Sequence, residues 1–489
     1  MTANSIAAVI LAAGKGTRMK SDLPKVLHPL AGRPMIRHVL DAVAALKPAR
    51  QLVVIGPDMA PVAKAVAPIP TAIQGKQLGT ADAVKAARSG LADFNGTVLV
   101  LYGDTPLLTP ATLAALIEAR EFRPEPSVVV LGFRPPDLGA YGRLVVGADG
   151  RLEAIVEARD ATPAERAITL CNSGVMAIDG RHLFLLIDAI GNDNAKREYY
   201  LTDVVKLARA RGLVCRHIEA DAAELMGVNS RAELAEAEAA LQARLRRAAM
   251  DAGATLLDPA TTYFSYDTRL GRDVTVGPSV VFAPGVTVGN RVEIRAFCHL
   301  EGAVVEDDAI VGPFARLRPG ARIGRGAHVG NFVEIKNAVL EAGAKANHLS
   351  YIGDARVGAA ANVGAGTITC NYDGFVKAHT DICKGAFIGS NTALVAPVAV
   401  GDNAIVGAGS VITRDVPADA LAVARGEQRT VPGGGARFRE SRRGAKMKAT
   451  KTTATKTKAA AAKAKASKVA RRGTKKVDRK DTKTQRKRK

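Results

Sequence analysis

The sequence predicts an α/β domain with a mainly parallel sheet, followed by a parallel β-helix and a disordered basic tail. Three observations predict this order. Short apolar segments alternate with helical ones over residues 1–228. Aliphatic residues recur every six positions from about residue 270, and residues 441–489 are low-complexity Lys, Ala and Thr. A chain of 489 residues has room for two or three domains.

In the α/β part, strand-like segments are separated by helical segments. The apolar runs cover residues 5–13, 51–56, 97–102 and 127–133, and the helical stretches include 34–47, 80–91 and 110–120. Continuous apolar strands separated by helices favour a sheet that is covered on both faces. Because ligands of such sheets bind at the carboxyl ends of the strands, the loops after Ala13 and Tyr102 are the expected site.

A glycine-containing loop, Leu-Ala-Ala-Gly-Lys-Gly-Thr-Arg-Met at residues 11–19, directly follows the first strand. It lacks the Gly-Lys-Ser/Thr ending of a Walker loop, and Met19 stands where the dinucleotide fingerprint has its third glycine. Its backbone N–H groups can still face phosphates, flanked by Lys15 and Arg18. The loop is therefore either a phosphate site or a plain turn.

Two further charged residues lie near the same strand ends. Lys25 follows Pro24, and it is either a solvated lysine or a second cation for phosphoryl charge. Asp104 ends the third strand, and it is either a cap for the helix that starts near Pro110 or a ligand of Mg²⁺.

A linker helix is predicted over residues 230–252. Leu234, Leu241 and Leu245 share one face, charged residues cover the rest, and Gly253 closes the segment.

The β-helix is predicted from a period of six. Three six-residue faces make one turn of a triangular prism, in which one aliphatic residue per face points inward and small residues form the corners. An ordinary sandwich would show a period of two instead. The residues predicted to point inward are Val276, Phe282, Val288, Ile294, Leu300, Val305, Val311, Leu317, Ile323, Val329, Ile335, Val357, Val363, Ile388, Leu394, Val400, Val406 and Ile412.

The repeat breaks near His348, with Arg318 and Lys336 on neighbouring turns. The histidine is either structural or a base for an attacking amine near neutral pH. Cys370 and Cys383 leave a covalent intermediate on a cysteine thiol open. Direct attack is favoured because neither cysteine has an activating partner beside it in the sequence.

The positive charge lies in the tail. The formal net charge is +22, and residues 441–489 contain 21 Lys or Arg against 2 Asp, so the rest of the chain is nearly balanced. The tail has too little apolar material to fold. It is either a solvated tail or a weak, salt-dependent binder of nucleic acid or another polyanion.

Cysteine usage and hydropathy predict a cytoplasmic protein. Five cysteines are scattered without a C-x-x-C pair, which indicates reduced thiols. No apolar run reaches the roughly 18 residues of a membrane span, and the short N-terminal apolar run is predicted to be a strand rather than a signal peptide.

Together the motifs of the first half resemble the sugar-nucleotide pyrophosphorylase family. With the repeats included, residues 5–430 resemble the bifunctional bacterial enzymes that make UDP-N-acetylglucosamine. The matching motifs are the 11–19 loop, Gln74-Gly-Lys-Gln-Leu-Gly79-Thr80, Tyr141-Gly142-Arg143, Ile155-Val156-Glu157, Asn172-Ser-Gly174, Gly227-Val-Asn229, Arg316-Leu-Arg318, His348, Tyr351 and Cys370-Asn371-Tyr372-Asp373.

The resemblance implies a Rossmann-like nucleotidyltransferase domain. Leu11, Ala12, Ala13, Gly14, Gln74, Gly79 and Thr80 would hold the uridine nucleotide, and Tyr102 and Gly103 would line the same site. Gly142, Glu157 and Asn172 would contact the amino sugar. Asp104 and Asn229 would bind Mg²⁺, while Arg18 and Lys25 would stabilise the α-phosphate. N-acetylglucosamine-1-phosphate would then attack UTP and release pyrophosphate.

It also implies a left-handed β-helix of hexapeptide repeats that forms homotrimers and transfers acetyl from acetyl-CoA to glucosamine-1-phosphate. His348 would be the general base. Arg318, Lys336, Tyr351 and Asn362 would hold the sugar phosphate, and Ala365, Asn371, Tyr372, Ser390, Ala408 and Arg425 would line the acetyl-CoA cleft.

The predicted domain limits are 1–229 for the transferase domain, 230–252 for the linker, 253–430 for the β-helix and 431–489 for the tail. The tail departs from the family pattern. Two rivals remain: a monofunctional nucleotidyltransferase whose β-helix only oligomerises, and a nucleic-acid-associated binding protein whose tail is the effector.

Overall fold

The computed structural model describes residues 5–194 and 196–481, with side-chain surroundings as far as residue 470. Residues up to Ala424 form one compact unit, and residues from Arg425 onward form another.

The first part of the larger unit is built on one mixed sheet. The strands of this part are, in chain order, β1 Ile6–Leu11, β2 Pro29–Leu30, β3 Arg33–Pro34, β4 Arg50–Ile55, β5 Thr71–Ile73, β6 Thr97–Tyr102, β7 Val128–Phe133, β8 Arg143–Val146, β9 Leu152–Val156, β10 Cys171–Asp179 and β11 Cys215–Glu219. Strands β2 and β3 form a separate hairpin, and the other strands belong to the sheet. The helices are α1 Met35–Ala44, α2 Ala60–Val66, α3 Thr80–Ala86, α4 Pro110–Glu121, α5 Pro163–Arg166, α6 Gly180–Asp188, α7 Asp203–Ala210 and α8 Arg231–Asp251. Single 3-10 turns cover Thr17–Met19, Lys25–Leu27, Arg88–Leu91, Ala222–Glu224 and Pro259–Thr261.

The main path of the sheet has the order β11-β7-β10-β6-β1-β4-β5. Strand β1 pairs in parallel with β4 and β6, whereas β10 runs antiparallel to both of its neighbours, β6 and β7. Alternate residues of β1 enter two different cores, Val9 on one face and Ile10 on the other. This double burial explains the continuous apolar strands. The predicted α/β domain with a mainly parallel sheet is confirmed along this path, and β8, β9 and β10 form its antiparallel part.

Helix α8 connects the sheet to the β-helix. The Ser230 hydroxyl caps its start by accepting from the Glu233 N–H at 3.3 Å. Leu234 and Leu241 pack with apolar residues of the α/β part, whereas Leu245 packs on the β-helix core. The apolar face of α8 therefore packs against both parts of the unit.

The second part is a parallel β-helix with three faces. The first face contains Thr255–Leu256, Thr275–Val276, Glu293–Ile294, Ile310–Val311, His328–Asn331, Lys345–His348, Asn362–Val363, Phe387–Ile388, Ile405–Val406 and Leu421–Ala422. The second face contains Val281–Phe282, His299–Leu300, Arg316–Leu317, Glu334–Lys336, Tyr351–Gly353, Ile368–Cys370, Ala393–Val395 and Val411–Ile412. The third face contains Arg269–Leu270, Thr287–Val288, Val304–Val305, Arg322–Ile323, Val339–Leu340, Ala355–Val357, Thr380–Ile382 and Val398–Val400.

The period of six fixes the core of this coil. Val276 pairs with Ile294, and Ile294 pairs with Val311, so most turns take 17 or 18 residues. All the residues predicted to point inward are buried, none with more than 4% of its surface exposed. The predicted β-helix is therefore confirmed.

The smaller unit differs from its expected disorder, because the structure has a helix, α9, over Gly434–Asp481. Residues 435–470 are exposed along its length. Alanine and lysine have high helix propensities, so a helix can form here without a core to bury. Residues 482–489 of the predicted tail lie outside the described residues. No helix in the described part of the chain is long and apolar enough to cross a membrane.

Candidate active sites

The glycine-containing loop lies at the carboxyl edge of the sheet, between two neighbouring strands. The Gly103 N–H donates to the Leu11 carbonyl at 2.9 Å, and the Ala12 N–H donates to the Val54 carbonyl at 2.8 Å. Leu11, Ala12 and Ala13 are buried in this position. A Cβ added to Gly14 would meet no atom within 4 Å, so the loop backbone is open where a phosphate would approach.

Gly16 brings two cationic turns together. Its φ is +62°, and a Cβ there would lie 2.6 Å from the Cβ of Lys25. The turn that contains Arg18 therefore packs directly on the turn that begins at Lys25. Arg18 itself is exposed, and its side chain forms no hydrogen bond or ion pair with the described residues.

Lys25 joins two predicted metal ligands from distant segments. Its Nζ forms an ion pair with Asp104 Oδ2 and donates to Asn229 Oδ1 at 2.9 Å. The helix cap near Pro110 is Thr109, whose hydroxyl accepts from the Thr112 N–H at 3.2 Å. Asp104 is therefore not that cap, and its carboxylate points at the site.

The chemistry of this oxygen pair fits a divalent ion. A carboxylate and an amide oxygen converge on one cation, and such hard donors suit Mg²⁺. Within the described residues, no group of three or more His, Cys, Asp or Glu side chains could hold a metal. The remaining ligands would therefore be water and the phosphates of a nucleotide.

Gln74, Gly79 and Thr80 form one turn. Gln74 is buried, and its Nε2 donates to the Gly79 carbonyl at 2.9 Å. A Cβ on Gly79, whose φ is +122°, would lie 2.5 Å from the Tyr199 carbonyl oxygen. The Thr80 hydroxyl accepts from the Leu201 N–H at 2.9 Å. The turn is thus held against the 199–201 segment, and only the folded chain shows this contact.

Gly142 and Asn172 also lie together. The Asn172 N–H donates to the Gly142 carbonyl at 2.8 Å, and Asn172 Oδ1 accepts from the Gly174 N–H at 2.9 Å. A Cβ on Gly174 would lie 2.6 Å from the Tyr102 ring, which places this segment beside the end of β6.

Glu157 lies near Tyr102 at the same site. Its carboxylate accepts from the Thr202 hydroxyl at 3.2 Å, and burial raises its pKa. Burial, followed by the negative charges of Asp104 and Glu157, raises the pKa of Tyr102. The predicted metal and sugar residues therefore surround one space.

On the β-helix, His348 ends a strand of the first face and pairs with Asn331 one turn earlier. The His348 Nδ1–H donates to Asn331 Oδ1 at 2.7 Å. Because an amide oxygen can only accept, the proton lies on Nδ1, and Nε2 keeps its lone pair. His348 is exposed, so that lone pair is available to a substrate.

Ala365, Ser390 and Ala408 continue the column that starts at Asn331 and His348. Each of the three lies two residues after an inward-pointing residue of the first face. These inward residues pair on successive turns, Ala346 with Val363, Val363 with Ile388 and Ile388 with Val406. Arg425 is the first residue of the smaller unit, so its part in the cleft stays a prediction.

Arg318, Lys336 and Tyr351 lie on successive turns of the adjoining second face. Arg318 Nη1 donates to Glu334 Oε1 at 2.8 Å, and Glu334 pairs with Tyr351 in the next turn. The corner between the two faces therefore lies between His348 and Tyr351, and Glu334 links Arg318 to the strand row that begins there.

Asp354 contacts the candidate site residue Asn371, and the sequence did not reveal this contact. It accepts from Asn337 Nδ2 at 2.6 Å and from Asn371 Nδ2. Burial opposes the shift, but these bonds and the charge of Lys336 hold its pKa below the ordinary value. Both partners lie 17 residues from Asp354, the same spacing that separates Asn331 from His348. Polar residues one coil turn apart are the signal that would have found all three pairs.

Two predicted residues lie apart from this corner in the single chain. Asn362 pairs with Lys345 at the start of the first-face strands. It is therefore about 10 Å along the strand direction from the His348 column. Tyr372 is exposed in the 371–379 loop, where its hydroxyl donates to the Gly374 carbonyl at 2.6 Å.

Cys383 is poorly suited to a covalent intermediate. Its Sγ accepts from Arg356 Nη2 at 3.6 Å, yet burial, followed by the charge of Asp381, raises the thiol pKa. A higher pKa lowers the fraction of the reactive thiolate, which favours direct attack.

Family models and relatives match both parts of the chain. A MobA-like NTP transferase domain matches residues 8–170, and bacterial transferase hexapeptide repeats match residues 267–302, 302–337 and 379–414. The Bifunctional protein GlmU of Paramagnetospirillum magneticum is 64% identical, covering 92% of this chain and 100% of that protein. Its namesake in Rhodospirillum rubrum is 65% identical over 88% of this chain and 97% of that protein. The protein of the same name from Sphingopyxis alaskensis is 53% identical over 91% of this chain and 98% of that protein.

A nucleotidyltransferase sheet joined to a hexapeptide-repeat β-helix defines a bifunctional transferase, with uridylyl transfer in the first part and acetyl transfer in the second. The chain belongs to the GlmU family. The predicted bifunctional enzyme is confirmed at this level, and both rival interpretations lose their support. Nucleotidyl transfer of this class needs a divalent metal ion.

Proposed function

We propose that this chain makes UDP-N-acetylglucosamine in two steps. The amine of glucosamine-1-phosphate first takes acetyl from acetyl-CoA, and the phosphate of the product then attacks the α-phosphorus of UTP and releases pyrophosphate. The observation that carries the proposal is the assembly of two separate groups, Lys25 with Asp104 and Asn229, and His348 with Asn331.

In acetyl transfer, Nε2 of His348 accepts a proton as the substrate amine attacks the thioester carbonyl. The C–N bond forms, the C–S bond breaks, and the leaving thiolate takes up a proton. Arg318, Lys336 and Tyr351 hold the sugar phosphate on the adjoining face. Ala365, Ser390 and Ala408 have small side chains, which leaves room along the column for the extended acetyl-CoA.

In uridylyl transfer, the 11–14 backbone and the Gly79 turn hold the nucleotide. Asp104 and Asn229 would hold Mg²⁺, which when bound neutralises phosphate charge. In the structure the Lys25 ammonium lies at these two oxygens. Lys25 and Arg18 would supply positive charge to the α-phosphate of a bound nucleotide. Gly142, Glu157 and Asn172 orient the sugar for in-line attack.

A trimer of β-helices would complete the acetyl-transfer site. Phe297, Phe314 and Phe332 stack on one corner, with ring centroids 4.8 and 5.1 Å apart, and Leu349 follows them. All four are about half exposed, and Phe332 and Leu349 directly follow Asn331 and His348. An exposed apolar ladder of this kind is typical of an interface. A neighbouring copy that covers it would bring its own Asn362 and 371–379 loop toward this His348.

The domain limits 1–229, 230–252, 253–430 and 431–489 are part of the proposal, as is a cytoplasmic location. All five cysteines belong to the described residues and are free thiols, as a reducing compartment requires.

A second, added function is proposed for the tail: weak binding of nucleic acid. The described part of α9 carries lysines such as Lys446, Lys451 and Lys456, which point in different directions because five residues turn a helix by about 140°. A helix with cations on every side suits a polyphosphate better than a membrane surface, which needs one apolar face. The test compares duplex DNA binding by the full chain and by a chain that ends at residue 440, at low and high salt. Equal binding by the two chains contradicts the proposal.

The decisive assay for the enzyme supplies glucosamine-1-phosphate, acetyl-CoA, UTP and Mg²⁺, and follows free thiol and pyrophosphate. Thiol release should need only the first two substrates, and pyrophosphate release should need all four components. Pyrophosphate release that continues without acetyl-CoA, from glucosamine-1-phosphate itself, would contradict the order of the two steps.

A further inference from the structure

Arg231 contacts both of the turns that carry the cations of the uridylyl site. Its Nε donates to the Met19 carbonyl at 3.2 Å, at the end of the turn that contains Arg18. Its Nη1 lies 3.2 Å from Nδ1 of His28, the residue that closes the turn beginning at Lys25. One guanidinium thus bridges two turns that are adjacent because of Gly16.

The second contact is a hydrogen bond from a guanidinium to a neutral imidazole. His28 is buried, and burial, followed by the positive charge of Arg231, lowers its pKa. A neutral ring can accept at Nδ1, whereas guanidinium N–H groups can only donate. Burial therefore keeps His28 in the form that holds Arg231.

The same helix start also holds the proposed metal ligand. Arg231 is the first residue of α8, and Asn229 lies two residues before it. The Asn229 N–H donates to Glu233 Oε2 at 2.7 Å, while its Oδ1 accepts from Lys25. The start of α8 therefore fixes Asn229 through Glu233, and the two cationic turns through Arg231.

We infer that Arg231 is a positioning residue for uridylyl transfer, which sets Arg18 and Lys25 relative to Asn229. The inference rests on the proposed function of that site. Arg231 is exposed and lies outside the apolar cores, so its replacement leaves the fold intact. The cations act on charge that develops in the transition state, whereas the 11–14 loop and the Gly79 turn hold the nucleotide. Loss of Arg231 therefore lowers kcat and leaves the KM for UTP nearly unchanged.

The test uses the full chain with Arg231→Ala and Arg231→Lys. We expect kcat for uridylyl transfer to fall about 10- to 100-fold in Arg231→Ala, since small misplacements of catalytic groups have effects of that size. Arg231→Lys should recover only part of the lost kcat, because one ammonium group cannot replace a planar guanidinium that contacts both turns. The matched control is Arg247→Ala on the same helix, whose partner is Asp251, four residues on.

Acetyl transfer and the melting temperature should stay unchanged in all three variants. A wild-type kcat in Arg231→Ala, or an equal fall in acetyl transfer, overturns the inference and leaves the proposed function standing. A wild-type chain without uridylyl transfer overturns the proposed function itself.

Discussion

His348 and Asn331 stand one above the other on consecutive turns of the β-helix, and the His348 Nδ1–H donates to Asn331 Oδ1 at 2.7 Å. The coil places them side by side although 17 residues separate them in sequence. The bond fixes the ring and its tautomer, so Asn331 prepares Nε2 for proton transfer without touching a substrate.

Replacing Asn331 with Ala should lower kcat for acetyl transfer about 10- to 100-fold, because small misplacements of a catalytic group have effects of this size. Steady-state acetyl transfer is the measurement. Uridylyl transfer is the internal control and should not change. Full acetyl transfer in this variant would mean that His348 needs no orientation from Asn331.

Replacing Asn331 with Asp tests the same hydrogen bond through the pH profile of acetyl transfer. A carboxylate beside the ring favours the protonated imidazole, whereas a base must be neutral. The acid limb of the pH profile of kcat/KM for acetyl transfer should therefore move to higher pH by about one unit or more. An unmoved limb in an active variant would show that the ring titrating in this profile is not His348.

The two active sites should fail independently. His348→Ala should lower acetyl transfer about 100-fold or more, the range of a lost general base. Asp104→Asn should lower uridylyl transfer about 100-fold or more, since metal-held phosphate charge contributes several kcal/mol. Each variant is assayed for both reactions. The loss of both activities from one folded variant would contradict the two-site enzyme.

Gly16 should be irreplaceable for uridylyl transfer. Gly16→Ala adds both a strained φ of +62° and a contact 2.6 Å from Lys25 Cβ. We expect uridylyl transfer to fall at least about 10-fold, because the two cationic turns are forced apart. The matched control is Gly212→Ala, where φ is +74° and no atom lies within 4 Å of the new Cβ. It should cost about 1–2 kcal/mol of stability and leave activity intact. Equal activity losses in the two variants would assign the effect to strain alone.

The phenylalanine ladder should hold the trimer together. Phe314→Glu places a charge between Phe297 and Phe332, which should dissociate the assembly and lower acetyl transfer more than uridylyl transfer. Leu185→Glu, at an exposed apolar residue of α6, is the control and should leave the assembly unchanged. Sedimentation velocity measures both. A Phe314→Glu protein that stays trimeric would place the interface elsewhere.

The tail shows one limit of reasoning from composition. Its lack of apolar residues predicts correctly that residues 435–470 bury no core, yet the structure has a helix there. Composition reports on tertiary packing, whereas alanine and lysine favour helix through local backbone and side-chain entropy. The two effects are separate, so an exposed segment without a core can still be helical.

The β-helix core and the place of the glycine-containing loop after β1 both follow from the sequence alone. An inward residue such as Val276 or Ile294 is identified by a local period, and the 11–19 loop by its place after an apolar strand. These signals are local, so they need no knowledge of which segments meet. The roles given to Asp104, Asn229 and His348 came from a family resemblance.

Which distant side chains lie together depends on the tertiary structure. Lys25 meets Asp104 and Asn229 across 79 and 204 residues because of the strand order and the start of α8. The coil register sets His348 beside Asn331 and Asp354 beside Asn371, and α8 brings Arg231 to Met19 and His28. Such contacts depend on pairings between remote segments, and no local pattern of residues specifies them.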